Sequence, residues 1–246
     1  LFEVQRNVLE LDNFKGMPNI ELKNTPLEGW GQVIKRLLDI VASLICLIIT
    51  APLSLIIYLA VRLTSPGPGI YKHTRSGYKK EFEFYKFRSM FTHLSTGKDY
   101  GDENAQAVLH ELLEQVHDED RSGPLWKIKN DPRITPVGKF LRKTKLDEIP
   151  QFWNVLIGDM SMIGPRPHMP EQVEKYRQHY GRVFSIKPGI FGLTQLAQLT
   201  RPTLPFEEEI RLDTYYIENW SLIWDIKIII KSFYMLLFTR KPKDTY

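Results

Sequence analysis

An adjacent acid pair, Asp147-Glu148, lies in a strongly basic part of the chain and is the feature best suited to chemistry. Carboxylates set among fixed cations suit reactions of phosphorylated molecules, because the cations hold phosphate oxygens while a carboxylate attacks or carries a metal. Two solvated surface acids are the alternative, and an isolated Asp-Glu pair does not exclude it. The cations that surround the pair are Lys139, Arg142, Lys143, Lys145 and Arg166.

The acid pair is predicted to lie near the end of a helix over residues 138–149. A residue that precedes proline avoids the helical conformation, so Pro150 marks the end of this helix. The C-terminal end of a helix disfavours anions, and nearby cations are therefore needed to keep both carboxylates ionised. Adjacent helical residues point about 100° apart, so the two acids are expected to do different tasks.

An uncharged apolar stretch over residues 40–61 precedes this region. A helix of that length would be about 33 Å long, which is enough to cross a bilayer. Pro52 predicts a kink near its middle. Both flanks are basic, with Arg36 before and Arg62 after, which favours placing both ends on the cytoplasmic side. The pattern predicts a bent, re-entrant helix in one leaflet; a spanning helix and a buried core helix are the alternatives.

The segment after the apolar stretch, residues 71–90, is predicted to form a β-hairpin that turns at Gly77, because residues 81–85 alternate between charged and aromatic types. Lys86 and Arg88 stand two apart at its end, on one face of an extended strand. They add cations from a second part of the chain, although a solvated basic edge explains the same pattern.

Helical periodicity predicts three further helices, over residues 102–119, 206–220 and 221–238. The last is apolar but interrupted by charges. It is therefore predicted to lie in the membrane interface, with Trp220, Trp224 and Tyr234 at headgroup level, or to be a plain core helix. Its aromatic residues would also suit a homodimer contact.

Composition sets the outer limits of the interpretation. A chain of 246 residues with 43% hydrophobic and 25% charged residues fits one domain with an appendage. A net charge of +4 does not by itself indicate nucleic acid, and no P-loop, dinucleotide-binding glycine motif or Cys/His zinc spacing is present. Two classes stay open: a membrane-bound phosphoryl-transfer enzyme, or a non-catalytic module that binds anionic lipid through its basic patch.

The sequence closely resembles the bacterial sugar transferases, also called monotopic phosphoglycosyl transferases or polyprenyl-phosphate hexose-1-phosphate transferases. The resemblance covers about residues 31–240 and is strongest to the larger undecaprenyl-phosphate galactose and glucose phosphotransferases, which carry transmembrane helices and a further domain upstream. The motifs that carry it are Lys35-Arg36-x-x-Asp39, Lys86-Phe-Arg-Ser-Met90, Leu146-Asp-Glu-Ile-Pro-Gln151, Gly158-Asp-Met160, Gly164-Pro-Arg-Pro167 and Lys187-Pro-Gly189.

The resemblance implies a reaction in which a hexose-1-phosphate moves from a UDP-sugar to undecaprenyl phosphate, with release of UMP. This step begins O-antigen or exopolysaccharide assembly at the cytoplasmic face of the bacterial inner membrane. By analogy Asp147 attacks the sugar-bearing phosphate and forms an aspartyl-phosphosugar intermediate, and Asp147 and Glu148 hold Mg²⁺, with proton handling as another role for Glu148. Galactose is favoured over glucose on overall resemblance, and a catalytically inactive lipid-binding scaffold of the same fold is the alternative.

The resemblance also implies the substrate-binding residues and the architecture. An α+β, mainly helical fold is expected, with residues 1–30 as a linker or the tail of an upstream domain. Residues 31–64 would form the re-entrant helix and residues 65–246 a compact cytoplasmic domain with a small sheet and interfacial amphipathic helices. The expected substrate-binding residues are Lys86, Arg88, Arg142, Pro165, Arg166, Pro167 and Arg201.

Overall fold

The computed structural model describes residues 9–14, 17–22, 27, 29–96, 100–101, 103–114, 121–122, 125–126, 128, 131–176, 181–201 and 204–238. Within these ranges the chain is mostly helical, and its strands form two-stranded sheets. The expected α+β, mainly helical class with a small sheet and one long apolar helix near the start is confirmed.

The longest element is α1, Trp30–Thr64, a helix of 35 residues that contains the whole apolar stretch. Pro52 lies inside α1 and does not end it. The Thr50 hydroxyl donates to the carbonyl of Cys46, at 2.7 Å, a bond that bends helices slightly. Within the described ranges α1 is the one helix long and apolar enough to cross a membrane, and 11% of its most apolar window is buried in the protein.

The predicted hairpin is confirmed as β3, Ile70–Ser76, paired antiparallel with β4, Glu81–Phe87. The turn closes where the Gly77 N–H donates to the Lys80 carbonyl at 3.0 Å. Phe82 and Phe84 point into the core while the residues between them face solvent, as the alternation predicted. Another hairpin, β1 (Leu9–Phe14) with β2 (Met17–Leu22), and the short pair β5 (Arg121–Ser122) with β6 (Leu125–Trp126) lie elsewhere in the chain.

The prediction of one helix over residues 138–149 is wrong, because a helix and a separate 3₁₀ turn occupy this region. Helix α2 covers Glu103–Glu114, and residues 102 and 115–119 of the predicted 102–119 helix lie outside the described residues. Helix α3 begins at Pro136, where the Thr135 side chain accepts from the Gly138 N–H, and it ends at Thr144. Lys145 adopts a left-handed conformation with φ of 62°, which stops α3 and starts a separate 3₁₀ turn, Leu146–Glu148.

Helix α4, Gln151–Ile157, follows this turn directly, so the acids precede the start of one helix rather than ending another. Strand β7, Ser161–Ile163, pairs in parallel with β8, Gly189–Phe191. The segment between these strands holds Gly164-Pro165-Arg166-Pro167 and α5, Pro170–Tyr176. Helices α6 (Leu193–Thr200), α7 (Phe206–Glu218) and α8 (Leu222–Phe238) complete the described chain, and α7 and α8 confirm the last two predicted helices.

Polar side chains near the start of α1 fasten that helix to the rest of the fold. Lys35 donates to Asp225 on α8 at 2.7 Å, and Arg36 donates to the last carbonyls of α4, those of Val155 and Leu156, at 2.6 and 2.7 Å. Asp39 accepts from the Met162 N–H on β7 at 2.8 Å. The start of α1 is therefore bonded to the elements that surround the acid pair.

Helix α8 has one buried side and one exposed side, and the exposed side is also apolar. Asp225 and Ile228 face the core, and the Trp220 indole, just before α8, is 9% exposed and donates to Asp225 at 3.0 Å. The prediction that Trp220 lies at headgroup level is therefore wrong, because its N–H is used inside the fold. The large apolar residues exposed on α8 are Leu222, Ile223, Trp224, Ile226, Ile230, Phe233 and Tyr234.

Candidate active site

The acid pair lies on the 3₁₀ turn between α3 and α4, opposite the end of β4. Lys86 on β4 lies between the two carboxylates, with its Nζ 3.8 Å from Asp147 Oδ2 and 3.4 Å from Glu148 Oε1. Lys145 approaches Glu148 Oε1 from the other side at 3.6 Å. Asp147 is 5% exposed, while Glu148 is half-buried. Two acids and two lysines thus form one charge cluster at the surface of the core.

The two carboxyl groups have different electrostatic environments. Burial raises the pKa of Asp147 above its usual value, and the adjacent Lys86 cation opposes that shift only in part. Burial also acts on Glu148, but Lys145, Lys86 and Arg166 outweigh it and lower its pKa to about 2. Glu148 is therefore a permanent anion at neutral pH, which disfavours a proton-handling role. Asp147 is a desolvated carboxyl whose charge depends on Lys86.

One oxygen of Asp147 has no protein partner. Oδ1 is buried and accepts no hydrogen bond, and Gln151 Nε2, one turn further along the chain, is likewise buried without an acceptor. Buried polar atoms are normally paired, so unpaired ones beside a charged cluster mark a place for a ligand. Carboxylate oxygens suit Mg²⁺, which often takes one or two carboxylates and completes its shell with water and substrate phosphates.

The residues present therefore fit the Mg²⁺ expected on Asp147 and Glu148. Among the described residues no group of three or more His, Cys, Asp or Glu side chains could hold a metal alone. Oxygens from a bound diphosphate would have to complete such a site, which agrees with the usual coordination of Mg²⁺.

Two of the expected arginines lie beside the acid pair. Arg142 on α3 donates from Nε to Ser89 Oγ at 2.8 Å, and its charge is one of those that lower the pKa of Asp147. Arg166 is exposed, and its charge acts on both Glu148 and Lys86. The structure thus brings the charges of Lys86, Arg142 and Arg166 around one pair of carboxylates.

The prolines on either side of Arg166 are buried, and they fix the backbone that presents it. Pro165 accepts from the Gly189 N–H at 2.8 Å, which bonds the segment after β7 to the first residue of β8. Pro167 is also buried. The Pro-Arg-Pro segment is therefore a rigid edge with one exposed cation, consistent with its predicted role in binding.

Arg88 is not brought to the acid pair, although the sequence analysis placed it on the same face as Lys86. Strand β4 ends at Phe87, so alternation no longer determines the direction of the Arg88 side chain. Its guanidinium is 1% exposed and donates to the carbonyls of Val61, Ser65 and Pro66 and to the Thr92 hydroxyl. Arg88 therefore caps the C-terminal end of α1, and its predicted contact with substrate is corrected to this structural role.

Arg201 also lies apart from the pair. It ends α6 and forms an exposed ion pair with Glu208 at 2.8 Å, and the structure shows no contact between its guanidinium and either acid. Its role in phosphate binding stays a prediction.

Asn154 supports the site, and the sequence analysis did not find it. Its side chain is fully buried in α4 and makes two hydrogen bonds to the backbone of β4. It accepts from the Tyr85 N–H at 3.1 Å and donates to the Glu83 carbonyl at 2.6 Å. This fixes the strand that carries Lys86 against the helix that follows the acids. A polar residue in the apolar run of α4 was the available signal.

Comparison with known proteins places residues 30–239 in a family described as bacterial sugar transferase. The chain is 37% identical to "Undecaprenyl-phosphate galactose phosphotransferase" of Salmonella typhimurium, over 92% of this chain and 48% of the relative. It is 40% identical to "UDP-glucose:undecaprenyl-phosphate glucose-1-phosphate transferase" of Klebsiella pneumoniae, over 91% of this chain and 44% of the relative.

A shorter relative matches over most of both chains. It is "Exopolysaccharide production protein PSS" of Rhizobium leguminosarum bv. phaseoli, 38% identical over 80% of this chain and 92% of its own length. The chain thus spans about half the length of the first two relatives. It spans nearly the whole length of the third.

Proposed function

The chain belongs to the bacterial sugar transferase family, and from this we propose that it transfers a hexose-1-phosphate from a UDP-sugar to undecaprenyl phosphate and releases UMP. The observation that carries the proposal is the pairing of Asp147 and Glu148 around Lys86, with Asp147 Oδ1 buried and unpartnered. The product would begin O-antigen or exopolysaccharide assembly.

The reaction proceeds in two displacements at one phosphorus atom. A carboxylate oxygen of Asp147 attacks the sugar-bearing phosphorus of the UDP-sugar, and the bond to the UMP oxygen breaks with its electron pair. A mixed anhydride between the Asp147 carboxyl group and the sugar phosphate results. A phosphate oxygen of undecaprenyl phosphate then attacks the same phosphorus, and the Asp147 carboxylate leaves unchanged. No proton is gained or lost in either step.

The cations around the pair offset the repulsion between a carboxylate and an anionic diphosphate. Lys86 is held within 4 Å of both acids, and Arg142 and Arg166 contribute charge from two other elements. Fixed charges in a partly desolvated site stabilise the developing charge better than water does.

Asp147 and Glu148 are the residues that would hold Mg²⁺. When bound, the ion would neutralise the diphosphate and stabilise the leaving phosphate of UMP. Glu148 is suited to this because its low pKa keeps it anionic. Asp147 remains the nucleophile, and Lys86 orients its other oxygen.

A re-entrant α1 and a cytoplasmic catalytic domain are part of the proposal. Both ends of α1 contact the same folded body: Arg36 bonds α4 at one end, and Arg88, just after β4, bonds the carbonyls of Val61 and Ser65 at the other. A straight helix of 35 residues would be about 52 Å long, which would carry its ends to opposite sides of a membrane. Contacts between one body and both ends support a helix that enters and leaves by the same face of the inner membrane.

The preferred sugar is proposed to be galactose. A galactose phosphotransferase and a glucose-1-phosphate transferase match the chain almost equally, at 37% and 40% identity, so the sugar needs a direct measurement. A panel of UDP-sugars, each assayed for UMP release with undecaprenyl phosphate and Mg²⁺, would identify it. Faster release from UDP-glucose than from UDP-galactose would overturn the galactose preference.

The decisive test of the reaction is Asp147→Asn, which keeps the size of the side chain and removes the nucleophile. We expect UMP release to fall at least about a thousandfold, because loss of a nucleophile removes the covalent route. Glu174→Gln is the control, since Glu174 is an exposed acid on α5, apart from the cluster. Near wild-type release by Asp147→Asn would reject the nucleophile. No release by the wild type with any UDP-sugar would favour the inactive scaffold.

A further inference from the structure

Arg166 contacts two helices, α6 and α7, that supply no residue to the proposed reaction. Its backbone N–H lies near the carboxylate of Asp213 on α7, close enough to lower the pKa of that group. Its guanidinium donates from Nη1 to Gln198 Oε1 on α6 at 3.2 Å. The backbone and the side chain of Arg166 thus make separate contacts, and together these contacts fix the position and the direction of the cation.

Gln198 is itself fixed in orientation. Its Nε2 donates to Glu209 Oε1 at 2.6 Å, which leaves Oε1 of the amide turned towards Arg166. Glu209 is 4% exposed and lies one helical turn before Asp213 on α7. An amide that is held at one end by a buried carboxylate can offer only its oxygen at the other end, so it selects a donor such as arginine.

Burying the Asp213 carboxyl group costs free energy that packing alone does not offset. It is 2% exposed, and the Thr194 hydroxyl donates to its Oδ1 at 2.7 Å. Burial raises its pKa to about 7, with the nearby Glu209 acting in the same direction and Thr194 and Arg166 opposing it. A neutral side chain would satisfy Thr194 without that penalty. The acid is therefore explained by what it holds rather than by the stability that it gives.

We propose that Asp213 and Gln198 are positioning residues that aim Arg166 at the phosphates of the donor beside Glu148. The proposal rests on the proposed transfer reaction and deepens it, because it names the groups that fix one of the binding cations. Both residues act through Arg166 and neither touches the acid pair. Their effect must therefore disappear when Arg166 is removed.

A double-mutant cycle tests this dependence. Asp213→Leu removes both acceptors at similar volume, and Gln198→Ala removes the guanidinium contact. Each should lower kcat/KM for UMP release about tenfold, the effect of one lost hydrogen bond to a charged group. In an Arg166→Ala background each should change kcat/KM less than twofold. Full tenfold losses in that background, or single variants within twofold of the wild type, would overturn the proposal.

Two matched variants separate positioning from general damage. Asp213→Asn keeps an acceptor for the Arg166 N–H and should restore kcat/KM to within about threefold, because Thr194 can exchange its donor for an acceptor role. Arg211→Ala changes an exposed residue on the same helix and should have no effect. Failure of Asp213→Asn to rescue would count against the hydrogen bond as the cause.

Hydrogen exchange at the Arg166 amide provides a readout that does not need activity. Both neighbours are prolines, which have no N–H, so this amide is resolved from its surroundings. Asp213→Leu should speed its exchange at least tenfold and leave the Gly164 amide, which donates to the Phe191 carbonyl, unchanged. Unchanged exchange at Arg166 overturns the positioning role even if transfer is real. Faster exchange with an inert wild type supports positioning and rejects only the transferase.

Discussion

At the residue scale, the acid pair shows how two neighbouring carboxylates acquire different properties. Asp147 and Glu148 share Lys86, but only Glu148 also lies within 4 Å of Lys145, and only Asp147 is almost fully buried. The difference comes from the 3₁₀ turn, which directs one side chain inward and the other towards the basic surface. The pair and the cation Arg166 could be predicted from sequence because they are close along the chain.

The first prediction concerns Lys86, the cation shared by the two acids. Lys86→Met keeps the length of the side chain and removes the charge, which leaves the buried Asp147 without its main partner. We expect kcat/KM for UMP release to fall roughly 30- to 100-fold, since leaving a buried charge unpaired costs about 2–3 kcal/mol. Lys139→Met, an exposed lysine on α3, is the control. Equal activities of the two variants would remove Lys86 from the site.

The second prediction concerns the pH dependence of stability, through Asp213. Its pKa is raised in the folded protein to about 7, so the folded state binds a proton that the unfolded state releases near pH 4. The stabilisation that this proton gives is complete below pH 4 and is lost as the pH rises to about 7. Asp213→Asn keeps the neutral form at all pH values.

The expected result is that the melting temperature of Asp213→Asn, measured in detergent micelles, rises relative to the wild type between pH 4 and pH 8. The free-energy difference is up to about 4 kcal/mol, for a shift of roughly three pKa units. Glu209→Gln, which removes the neighbouring acid, should reduce this pH dependence because Glu209 contributes to the raised pKa. A difference that does not change with pH would show that Asp213 is ionised throughout.

At the element scale, the structure assigns a task to the basic motif that opens α1. In the sequence analysis Lys35 and Asp39 were quoted only for their resemblance to a family, and Arg36 also as a basic flank of the apolar stretch. In the structure they bond α8, α4 and β7, each through a separate side chain. Arg36 at the last carbonyls of α4 also suits the negative end of that helix.

The elements that sequence reasoning missed were those set by single backbone conformations or by distant contacts. Lys145 takes a left-handed conformation, which glycine usually signals, so the break between α3 and the acid pair had no marker in the sequence. Arg88 was placed by strand alternation that stops one residue earlier, and the backbone carbonyls that it binds lie more than twenty residues away. Local periodicity predicted the hairpin, α1 and α7 because their patterns do not depend on such contacts.

The third prediction concerns the buried ion pair between α1 and α8. Lys35→Met leaves Asp225 charged and buried without its cation, which should lower the free energy of unfolding by about 3–5 kcal/mol. Adding Asp225→Asn removes the unpaired charge and keeps an acceptor for Tyr216 or Trp220, so the double variant should recover much of the loss. Lys231→Met, an exposed lysine on α8, is the control for both melting temperatures. A double variant less stable than Lys35→Met would contradict this interpretation.

At the scale of the whole molecule, the fold brings a candidate membrane helix and a charged site together in one body. The apolar side of α8 is exposed in the same way as the surface of α1, and both would be unfavourable in water. A lipid surface or a second copy of the chain would cover α8 equally well. The exposed side of α8 thus leaves the orientation of the protein open, and the position of α1 relative to the bilayer determines how the site meets a lipid-bound acceptor.

The last prediction concerns that position, and it follows from the contacts at both ends of α1. If α4 and the segment after β4 belong to one cytoplasmic body, the residues at each end of α1 must be cytoplasmic too. Gln32→Cys and Thr64→Cys mark these ends at exposed positions, in a Cys46→Ser background that removes the native thiol. Glu174→Cys, exposed on α5, reports the side of the catalytic domain.

A membrane-impermeant maleimide should label all three cysteines in inside-out vesicles and none of them in intact spheroplasts. The reason is energetic: a helix that crossed the membrane would separate Arg36 from Arg88, and one set of buried hydrogen bonds to helix carbonyls would be lost. Labelling of Gln32→Cys or Thr64→Cys, but not of Glu174→Cys, in spheroplasts would mean that α1 spans the bilayer. In that case only one end of α1 could remain bonded to the catalytic domain. The acceptor phosphate would then have to reach Asp147 beside a spanning helix and not beside a re-entrant one.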